Sequence, residues 1–222
     1  MNGFLLRTAG LDDLDALVRL EEIVEQALPS RDMFATDDKA FYVPIVHGEG
    51  RILLALDEQN TLAGASVIRF PAADDPENLG LTLSLPKGLL AKIRHLESVF
   101  VRPDLRGKRL AETLIRENMR LTENCGRTIS MATAWPGNAA SLRLHMRFGL
   151  YIRAFALKYG GKPRFILMSG GIPDDNAAPV RIDAMDTERN CKLLKTGLAG
   201  TAVHPLQDGK HFEVEYRPLR LC

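Results

Sequence analysis

The sequence predicts an α/β protein in which strands and helices surround one buried core. Runs rich in β-branched residues alternate along the chain with segments of 3.6-residue apolar periodicity. Two pairs of strand-like runs, within 51–70 and 150–169, are separated by short polar or glycine-containing turns, as in antiparallel hairpins. At 222 residues and 45% hydrophobic side chains, the chain is long enough to bury a core, and one domain with additions is favoured over two equal domains.

The first half of the chain opens with a strand that is followed by a helix. Apolar residues of this helix recur with a helical period up to Pro29, which ends it. A weaker helix follows, in which Asp37 or Asp38 acts as the cap and Pro44 is an interruption. In order, the predicted elements are a strand within 4–10, helices within 11–28 and 37–48, a hairpin of strands 51–57 and 62–70, and a long loop or insertion over 71–92.

The second half alternates strands and helices and ends in a polar tail. Gly126 acts as a helix stop, Asn138 as a helix cap, and Gly160 with Gly161 as a hairpin turn. The predicted elements are a strand 93–101, a helix from Leu110 to about Cys125, a strand 128–134, a helix 138–149, a hairpin 150–169 and, beyond a polar linker, a helix 186–198 and a strand 211–219. We therefore expect a domain of residues 1–169 and a C-terminal extension, residues 170–222, that packs on the domain or on a partner chain.

Composition and cysteine spacing argue against several classes of protein. A net charge of +1 with 26% charged residues does not fit a surface that coats nucleic acid. Cys125, Cys191 and Cys222 form no CxxC pair and have no matching histidine spacing, so we expect neither a metal site nor a disulfide framework. The apolar stretch at the N-terminus is too short for a signal peptide, and no run of about 18 apolar residues could span a bilayer. We expect a soluble, cytoplasmic protein with no nucleic-acid or membrane partner.

The stretch RPDLRGKRLAETLI places three cations where a helix begins. Arg106, Lys108 and Arg109 directly precede residues with the apolar spacing of a helix. A helix start carries roughly half a positive charge and several unpaired N–H groups, so cations there are unfavourable unless an anion binds. This pattern favours a phosphate site. The alternative is a solvated surface on which Asp104 and Glu112 balance the charges.

The order of elements in this part of the chain resembles the GNAT superfamily of acyl-CoA-dependent N-acyltransferases. The elements are a strand, the RGKRLA turn, an amphipathic helix, a second strand and a helix that begins at an asparagine. The resemblance is strong from about Leu96 to Leu150 and rests on element order before that. It implies a three-layer fold with a mixed, mostly antiparallel central sheet flanked by helices. It also implies an enzyme that moves an acetyl or similar acyl group from acetyl-CoA (coenzyme A) to a primary amine by direct attack. The acceptor would be a small-molecule or peptide amine, and a homodimer is possible.

The resemblance further implies which residues bind the cofactor. The amides of the turn would cradle the pyrophosphate, and the backbone of 99–101 would pair with the pantetheine like an added strand. The implied cofactor-binding residues are Val99, Phe100, Val101, Arg106, Gly107, Lys108, Arg109, Leu110, Ala111, Asn138 and Ser141. Arg109 stands where the family usually has a glycine, so its side chain either adds a phosphate contact or crowds the backbone.

Two residues of strand 93–101 are candidates for the catalytic base. Strict alternation places His95, Glu97, Val99 and Val101 on one face of this strand. In the resembled family, acids or histidines at the positions of Glu97 and His95 deprotonate the substrate amine directly or through water, and a neutral imidazole or a carboxyl of raised pKa suits that task. The alternative is a solvated polar pair at the fraying start of a strand.

His145 stands where the family often has a tyrosine that protonates the leaving thiolate. An imidazolium could do the same, whereas a helix histidine is also commonly a packed or exposed polar residue. Two other functions are left open by the sequence. One is a non-catalytic acyl-CoA-binding regulatory module, which Arg109 and the missing tyrosine motivate, and the other is an interaction scaffold that uses the C-terminal extension.

Overall fold

The structure is a computed structural model that describes residues 3–34, 36–208 and 211–220. The strands are β1 (Leu5–Thr8), β2 (Gly50–Leu56), β3 (Leu62–Arg69), β4 (Ile93–Val101), β5 (Ile129–Ala134), β6 (Leu150–Lys158), β7 (Lys162–Ser169), β8 (Ile172–Pro173), β9 (Val180–Asp183), β10 (Ala199–Pro205), β11 (Phe212–Arg217) and β12 (Leu219–Arg220). The helices are α1 (Leu14–Gln26), α2 (Lys39–Pro44), α3 (Lys87–Leu90), α4 (Leu110–Leu121), α5 (Ala139–Arg147) and α6 (Thr187–Lys195).

The strands and helices predicted from the sequence are present, with one shorter helix and several additional elements. Helix α4 ends at Leu121 rather than near Cys125, because the Thr122 hydroxyl lies 2.9 Å from the carbonyl oxygen of Asn118 and 3.0 Å from that of Met119. It thereby occupies acceptors that the next helical turn would need. The predicted loop 71–92 contains a 3₁₀ turn and α3, and β8, β9, β10 and β12 were not predicted from the sequence.

The chain divides into two compact units. Unit one consists of Met1–Asp75 and Leu90–Thr128, and unit two consists of Pro76–Leu89 and Ile129–Cys222. This division does not follow the expected boundary between residues 169 and 170. That residues 170–222 form an extension separate from the domain of residues 1–169 therefore stays a prediction.

Unit one is built on a four-stranded antiparallel sheet in the order β1, β2, β3, β4. Alternation along β2 sends its side chains to two cores. Ile52 and Leu54 pack in a cluster with residues of α1 and α2, whereas Leu53 and Ala55 pack in another with residues of α4. The helices thus cover both faces of this sheet, with α4 opposite α1 and α2.

Unit two is built on a six-stranded antiparallel sheet in the order β5, β7, β6, β10, β11, β9. Helices α5 and α6 pack against this sheet. Strands β9, β10 and β11 come from the chain beyond residue 170, and β10 joins the β6–β7 hairpin where Gly200 lies opposite Ile152. The tail therefore extends the sheet that the hairpin begins.

A buried polar network fastens α6 to the tail strands. Asn190 is fully buried, and its Nδ2 lies 2.8 Å from the carbonyl oxygen of Asp183 and 2.7 Å from that of Asp186. The hydroxyl of the equally buried Tyr216 donates to Asn190 Oδ1 at 2.6 Å. Because these polar atoms are paired, their burial is tolerated. The network fixes the end of β9 against the start of α6.

Three further observations concern the described residues only. They include no helix that is long and apolar enough to cross a membrane. They include no group of three His, Cys, Asp or Glu side chains placed to hold a metal ion. Cys125 and Cys191 are free thiols, and Cys222 lies outside the described residues.

Candidate active site

The chain between β4 and α4 forms a turn with two left-handed residues. A 3₁₀ turn, Pro103–Leu105, is followed by Gly107 with φ +79° and by Arg109 with φ 60° and ψ 18°. The five successive backbone N–H groups from Gly107 to Ala111 donate to no acceptor within the described residues. Because they open a helix of twelve residues, they form a concentrated site for a negatively charged group.

The three cations of this turn have different partners. Arg109 Nη2 lies 3.0 Å from Glu112 Oε1, and its Nε lies 3.1 Å from Glu112 Oε2. Arg106 Nη1 donates to the carbonyl oxygen of Ala27 at 3.3 Å. Lys108 forms no ion pair with any residue that the structure describes. The charge of Arg109 is thus balanced within the helix, as the solvated alternative expected, whereas Arg106 and Lys108 have no carboxylate partner in the described chain.

Arg109 adopts the backbone conformation that a glycine would have at this position. A left-handed conformation costs a non-glycine residue roughly 1–2 kcal/mol. The side chain is 73% exposed and folds over the first turn of α4 to reach Glu112. The backbone path of the turn is therefore compatible with the glycine that the family usually has there.

A β-bulge in β4 sets the direction of its side chains. Ile68 lies opposite Leu96 and Val67 opposite Ser98, so Glu97 is an extra residue with no partner on β3. Strict alternation predicts one face for His95, Glu97, Val99 and Val101, and this prediction is wrong beyond the bulge. An inserted residue reverses the faces of every position that follows it.

Because of the bulge, Val99 and Val101 face the core opposite to the one that His95 faces. Val99 and Val101 pack in the cluster that contains α4 residues, and Phe100 packs in the cluster that contains α1 residues. His95 lies opposite Arg69, whose position on β3 places it on the same face as Val67 in the α1 cluster. The predicted base pair is thereby separated from the strand residues that are expected to hold the cofactor.

His95 and Glu97 form a compact charged network with two residues of unit one. Glu97 Oε2 lies 3.3 Å from His95 Nδ1 and 3.3 Å from Arg69 Nε. Arg69 Nη1 donates to Asp75 Oδ2 at 2.6 Å, and Arg69 Nη2 lies 3.2 Å from His95 Nδ1. His95 is 2% exposed and the side chain of Glu97 is 13% exposed. Of the two predicted bases, Glu97 is therefore the more accessible.

In unit two, α5 carries the other three predicted site residues. Asn138 Oδ1 accepts the backbone N–H of Ser141 at 3.0 Å, which is the capping role that the sequence allowed. His145 Nδ1 lies 2.9 Å from the carbonyl oxygen of Ser141. Burial lowers the pKa of His145 to about 4. The ring is therefore neutral near pH 7, and it is not the imidazolium that an acid role requires.

A protein-family model described as the acetyltransferase (GNAT) family matches residues 17–150. The match spans more than half of the 222 residues and includes most of α1, the turn with α4, and α5. The chain belongs to the acetyltransferase (GNAT) family. It is thus an acyl-CoA-dependent N-acetyltransferase with acetyl-CoA as co-substrate. No curated protein matches the chain in sequence.

Solved structures with the same fold come from several bacteria. The protein yncA of Salmonella typhimurium, solved with acetyl-CoA, is 21% identical with a TM-score of 0.57, and the match covers 81% of this chain and 99% of that one. An N-acetyltransferase of Staphylococcus aureus Mu50 is 15% identical with a TM-score of 0.56, over 75% and 98% of the two chains. A phosphinothricin acetyltransferase of Sinorhizobium meliloti, in complex with acetyl-CoA, is 18% identical with a TM-score of 0.54, over 75% and 87%. The predicted fold class, a mixed, mostly antiparallel sheet flanked by helices, is confirmed.

The charges around Glu97 in this acetyltransferase keep its carboxyl ionised. Burial alone would raise the pKa of Glu97, but the hydrogen bond with His95 and the charge of Arg69 outweigh burial and lower it. Glu97 does not have the raised pKa that would suit a strong general base. Its carboxylate is well suited to bind the N–H groups of an amine.

Two acids of the acetyltransferase were missed by sequence reasoning. Glu21 is fully buried in α1, and Asp37 donates its backbone N–H to Glu21 Oε2 at 3.3 Å. Burial raises the pKa of Glu21 to about 8, and burial together with the charge of Glu97 raises the pKa of Asp37 to about 7. A signal was present, because Glu21 follows Leu17 by four residues and precedes Val24 by three, within the buried stripe of α1.

Proposed function

We propose that this acetyltransferase moves the acetyl group of acetyl-CoA to a primary amine by direct attack, with no covalent enzyme intermediate. The observation that carries the proposal is the run of five N–H groups, Gly107 to Ala111, which lack an acceptor among the described residues and lie beside Arg106 and Lys108. Backbone amides and arginine together are a strong recognition pattern for phosphate oxygens. The turn therefore fits the diphosphate of coenzyme A.

Residues of each unit are assigned to acetyl-CoA. In unit one, the amides of 107–111 with Arg106 and Lys108 would hold the diphosphate, and the main chain of Val99 to Val101 would hold the pantetheine. In unit two, Asn138 and Ser141 would contribute polar contacts. When bound, acetyl-CoA supplies an activated thioester carbonyl that an amine can attack.

Glu97 is assigned to the amine. Its ionised carboxylate binds the N–H groups of the acceptor and takes up a proton directly or through water, while His95 and Arg69 hold it at the bulge. Orientation of the amine by this fixed carboxylate supplies part of the rate. We assign no thiolate-protonating role to His145, because its buried ring is neutral near pH 7 and its Nδ1 is engaged with Ser141.

Binding of acetyl-CoA tests the cofactor assignment. We expect Lys108→Ala and Arg106→Ala each to weaken acetyl-CoA binding about 10-fold in calorimetry, because each removes a charge-assisted phosphate contact. Arg116→Ala is the matched control, since Arg116 is 63% exposed on the same helix and also pairs with Glu112. Equal affinities in the three variants would contradict the assignment.

Release of coenzyme A with a panel of primary amines tests the reaction. We expect thiol release that depends on the amine, and a loss of about 10²–10⁴-fold in kcat/KM for Glu97→Gln. Asp75→Asn is the control, because it removes another carboxylate that binds Arg69 and is not assigned to the amine. A loss in Asp75→Asn as large as in Glu97→Gln would mean that the network as a whole, and not the Glu97 carboxylate, supports the reaction.

Intact-mass measurement separates direct attack from a covalent route. Incubation with acetyl-CoA alone should leave the protein without an acetyl adduct that a later amine consumes. Such an adduct would overturn the direct route. Three further expectations stay predictions. Acceptor screening tests whether the acceptor is a small-molecule or peptide amine, sizing in solution tests whether the protein is a homodimer, and cell fractionation tests whether it is cytoplasmic.

A further inference from the structure

Unit two contains a cavity of about 210 Å³, here called the tail cavity. Trp135 and Gly137 from the segment between β5 and α5 form one part of its wall. The rest comes from the tail: Asp183, Ala184 and Met185 after β9, and His211 and Phe212 at the start of β11. The volume is below the roughly 300–1,000 Å³ of pockets for drug-sized ligands, so a ligand here must be small.

An indole ring is held in place along one side of the tail cavity. A Cβ atom on Gly137 would lie 2.2 Å from Trp135 Cζ3, so the ring packs closely against Gly137 and would have to move to admit a larger residue there. Phe212 is buried, while Met185 is 47% exposed although it is a large apolar side chain. An aromatic ring with a thioether beside it is a favourable surface for the carbon chain and the positive charge of an organic cation.

Asp183 supplies a negative charge to the same cavity. Its Oδ1 accepts the backbone N–H of Met185 at 2.8 Å, which fixes the carboxylate. Its Oδ2 accepts no hydrogen bond from a described residue, and the carboxylate forms no ion pair within the part of the chain that the structure describes. A half-buried carboxylate with one unused oxygen complements a cation that carries N–H groups.

We propose that the tail cavity binds a small organic ammonium ion. The ammonium group donates to Asp183 Oδ2, and the attached carbon chain lies against Trp135 and Met185. The proposal uses no residue assigned to acyl transfer, since neither Glu97 nor Asn138 nor Ser141 lines the cavity. The charge of Asp183 favours a cation over carboxylates and phosphates.

Trp135 is the single tryptophan of the chain, so its fluorescence reports on the tail cavity directly. We expect butylammonium to change this fluorescence in a saturable way, and we expect butanol and butyrate at equal concentrations to cause no saturable change. Free N-acetyltryptophanamide in the same solutions corrects for collisional quenching. An equal saturable response to butanol would mean that the cavity is apolar and does not select for charge, which would overturn the proposal. The absence of a saturable response to butylammonium would overturn it as well.

Two variants of equal charge change complete the test. Asp183→Asn keeps a carbonyl oxygen for the Met185 N–H and removes the charge, so butylammonium binding should weaken about 10-fold or more. Glu188→Gln removes one charge from the exposed first turn of α6 and should bind as the wild type does. Circular dichroism confirms that both variants are folded. Unchanged binding in a folded Asp183→Asn variant, or equal weakening in both variants, would overturn the proposal.

Discussion

Asp37 donates its backbone N–H to Glu21 Oε2 at 3.3 Å, and the side-chain carboxyl groups of both residues have raised pKa values. The pKa of Glu21 rises from its ordinary value of 4.5 to about 8, chiefly through burial. Between these values the folded state holds a proton that the unfolded chain has lost. The stability that this group contributes is therefore complete below about pH 4.5 and is lost as the pH rises through about 8.

We predict that Glu21→Gln removes the part of the pH dependence that Glu21 contributes, while the raised pKa of Asp37 keeps its own part. The variant should match the wild type near pH 5 and exceed its free energy of unfolding at pH 8 by at least about 1.4 kcal/mol, the equivalent of one pKa unit. Urea unfolding at several pH values measures the difference. Glu22→Gln, at the exposed neighbouring position of α1, is the control and should keep the wild-type slope. The prediction fails if Glu21→Gln retains the full wild-type slope.

Replacement of Arg109 should reveal the cost of its left-handed backbone. Arg109→Gly and Arg109→Ala both lose the pair between the exposed Arg109 and the largely buried Glu112, so this loss cancels between them, but only glycine removes the strain at φ 60°. We expect Arg109→Gly to be more stable than Arg109→Ala by about 1 kcal/mol in urea unfolding.

Arg116 provides the matched control for this pair of variants. It binds the same Glu112, but it lies inside α4, where glycine should be less stable than alanine by about 1 kcal/mol. The two positions should thus respond with opposite signs. The same sign at both would show that the conformation of residue 109 carries no strain.

His145 should make the protein less stable in acid. Burial lowers its pKa from 6.5 to about 4, so between these values the unfolded chain binds a proton that the folded state does not. The free energy of unfolding should therefore rise with pH from about 4 to 6.5, by up to about 1.4 kcal/mol per pH unit. We expect His145→Asn, which can keep the hydrogen bond to the Ser141 carbonyl, to lose this rise in urea unfolding.

His47 offers a control with the same local geometry. Its Nδ1 lies 2.9 Å from the carbonyl oxygen of Val43, four residues earlier, as that of His145 does from Ser141, but the side chain is exposed. His47→Asn should leave the rise of stability with pH unchanged. Loss of the rise in this variant, or its persistence in His145→Asn, would contradict burial of His145 as the cause.

Features that are formed by residues close together in sequence were predicted correctly. The turn at Arg106 to Ala111 was visible because its glycine, its cations and the following helical period are contiguous. The cap at Asn138 was visible for the same reason. Glu21 could have been found as well, since a carboxyl in the apolar stripe of an amphipathic helix is detectable by spacing.

Features that depend on distant pairing were not predictable from local patterns. The bulge at Glu97 arises from the register between β3 and β4, and nothing within IRHLESVFV marks an extra residue. Strand β10, with the sequence AGTAVHP, has few apolar residues and contains glycine and proline. It becomes a strand because β6 and β11 lie on either side of it. The tail cavity likewise requires segments far apart in sequence.

The last prediction concerns the close packing of Gly200 in β10 against side chains of β6 and β11. A Cβ atom on Gly200 would lie 2.8 Å from Val214 Cγ1 and 2.9 Å from Ile152 Cδ1, and both of those side chains are fully buried. Gly200→Ala should therefore lower the free energy of unfolding by about 1–3 kcal/mol through overpacking. Gly88→Ala is the control, because a Cβ atom there meets nothing within 4 Å. Thermal unfolding of both variants measures the effect. An unchanged Gly200→Ala variant would mean that β10 is not packed between β6 and β11, and that the tail is not an integral part of the unit-two core.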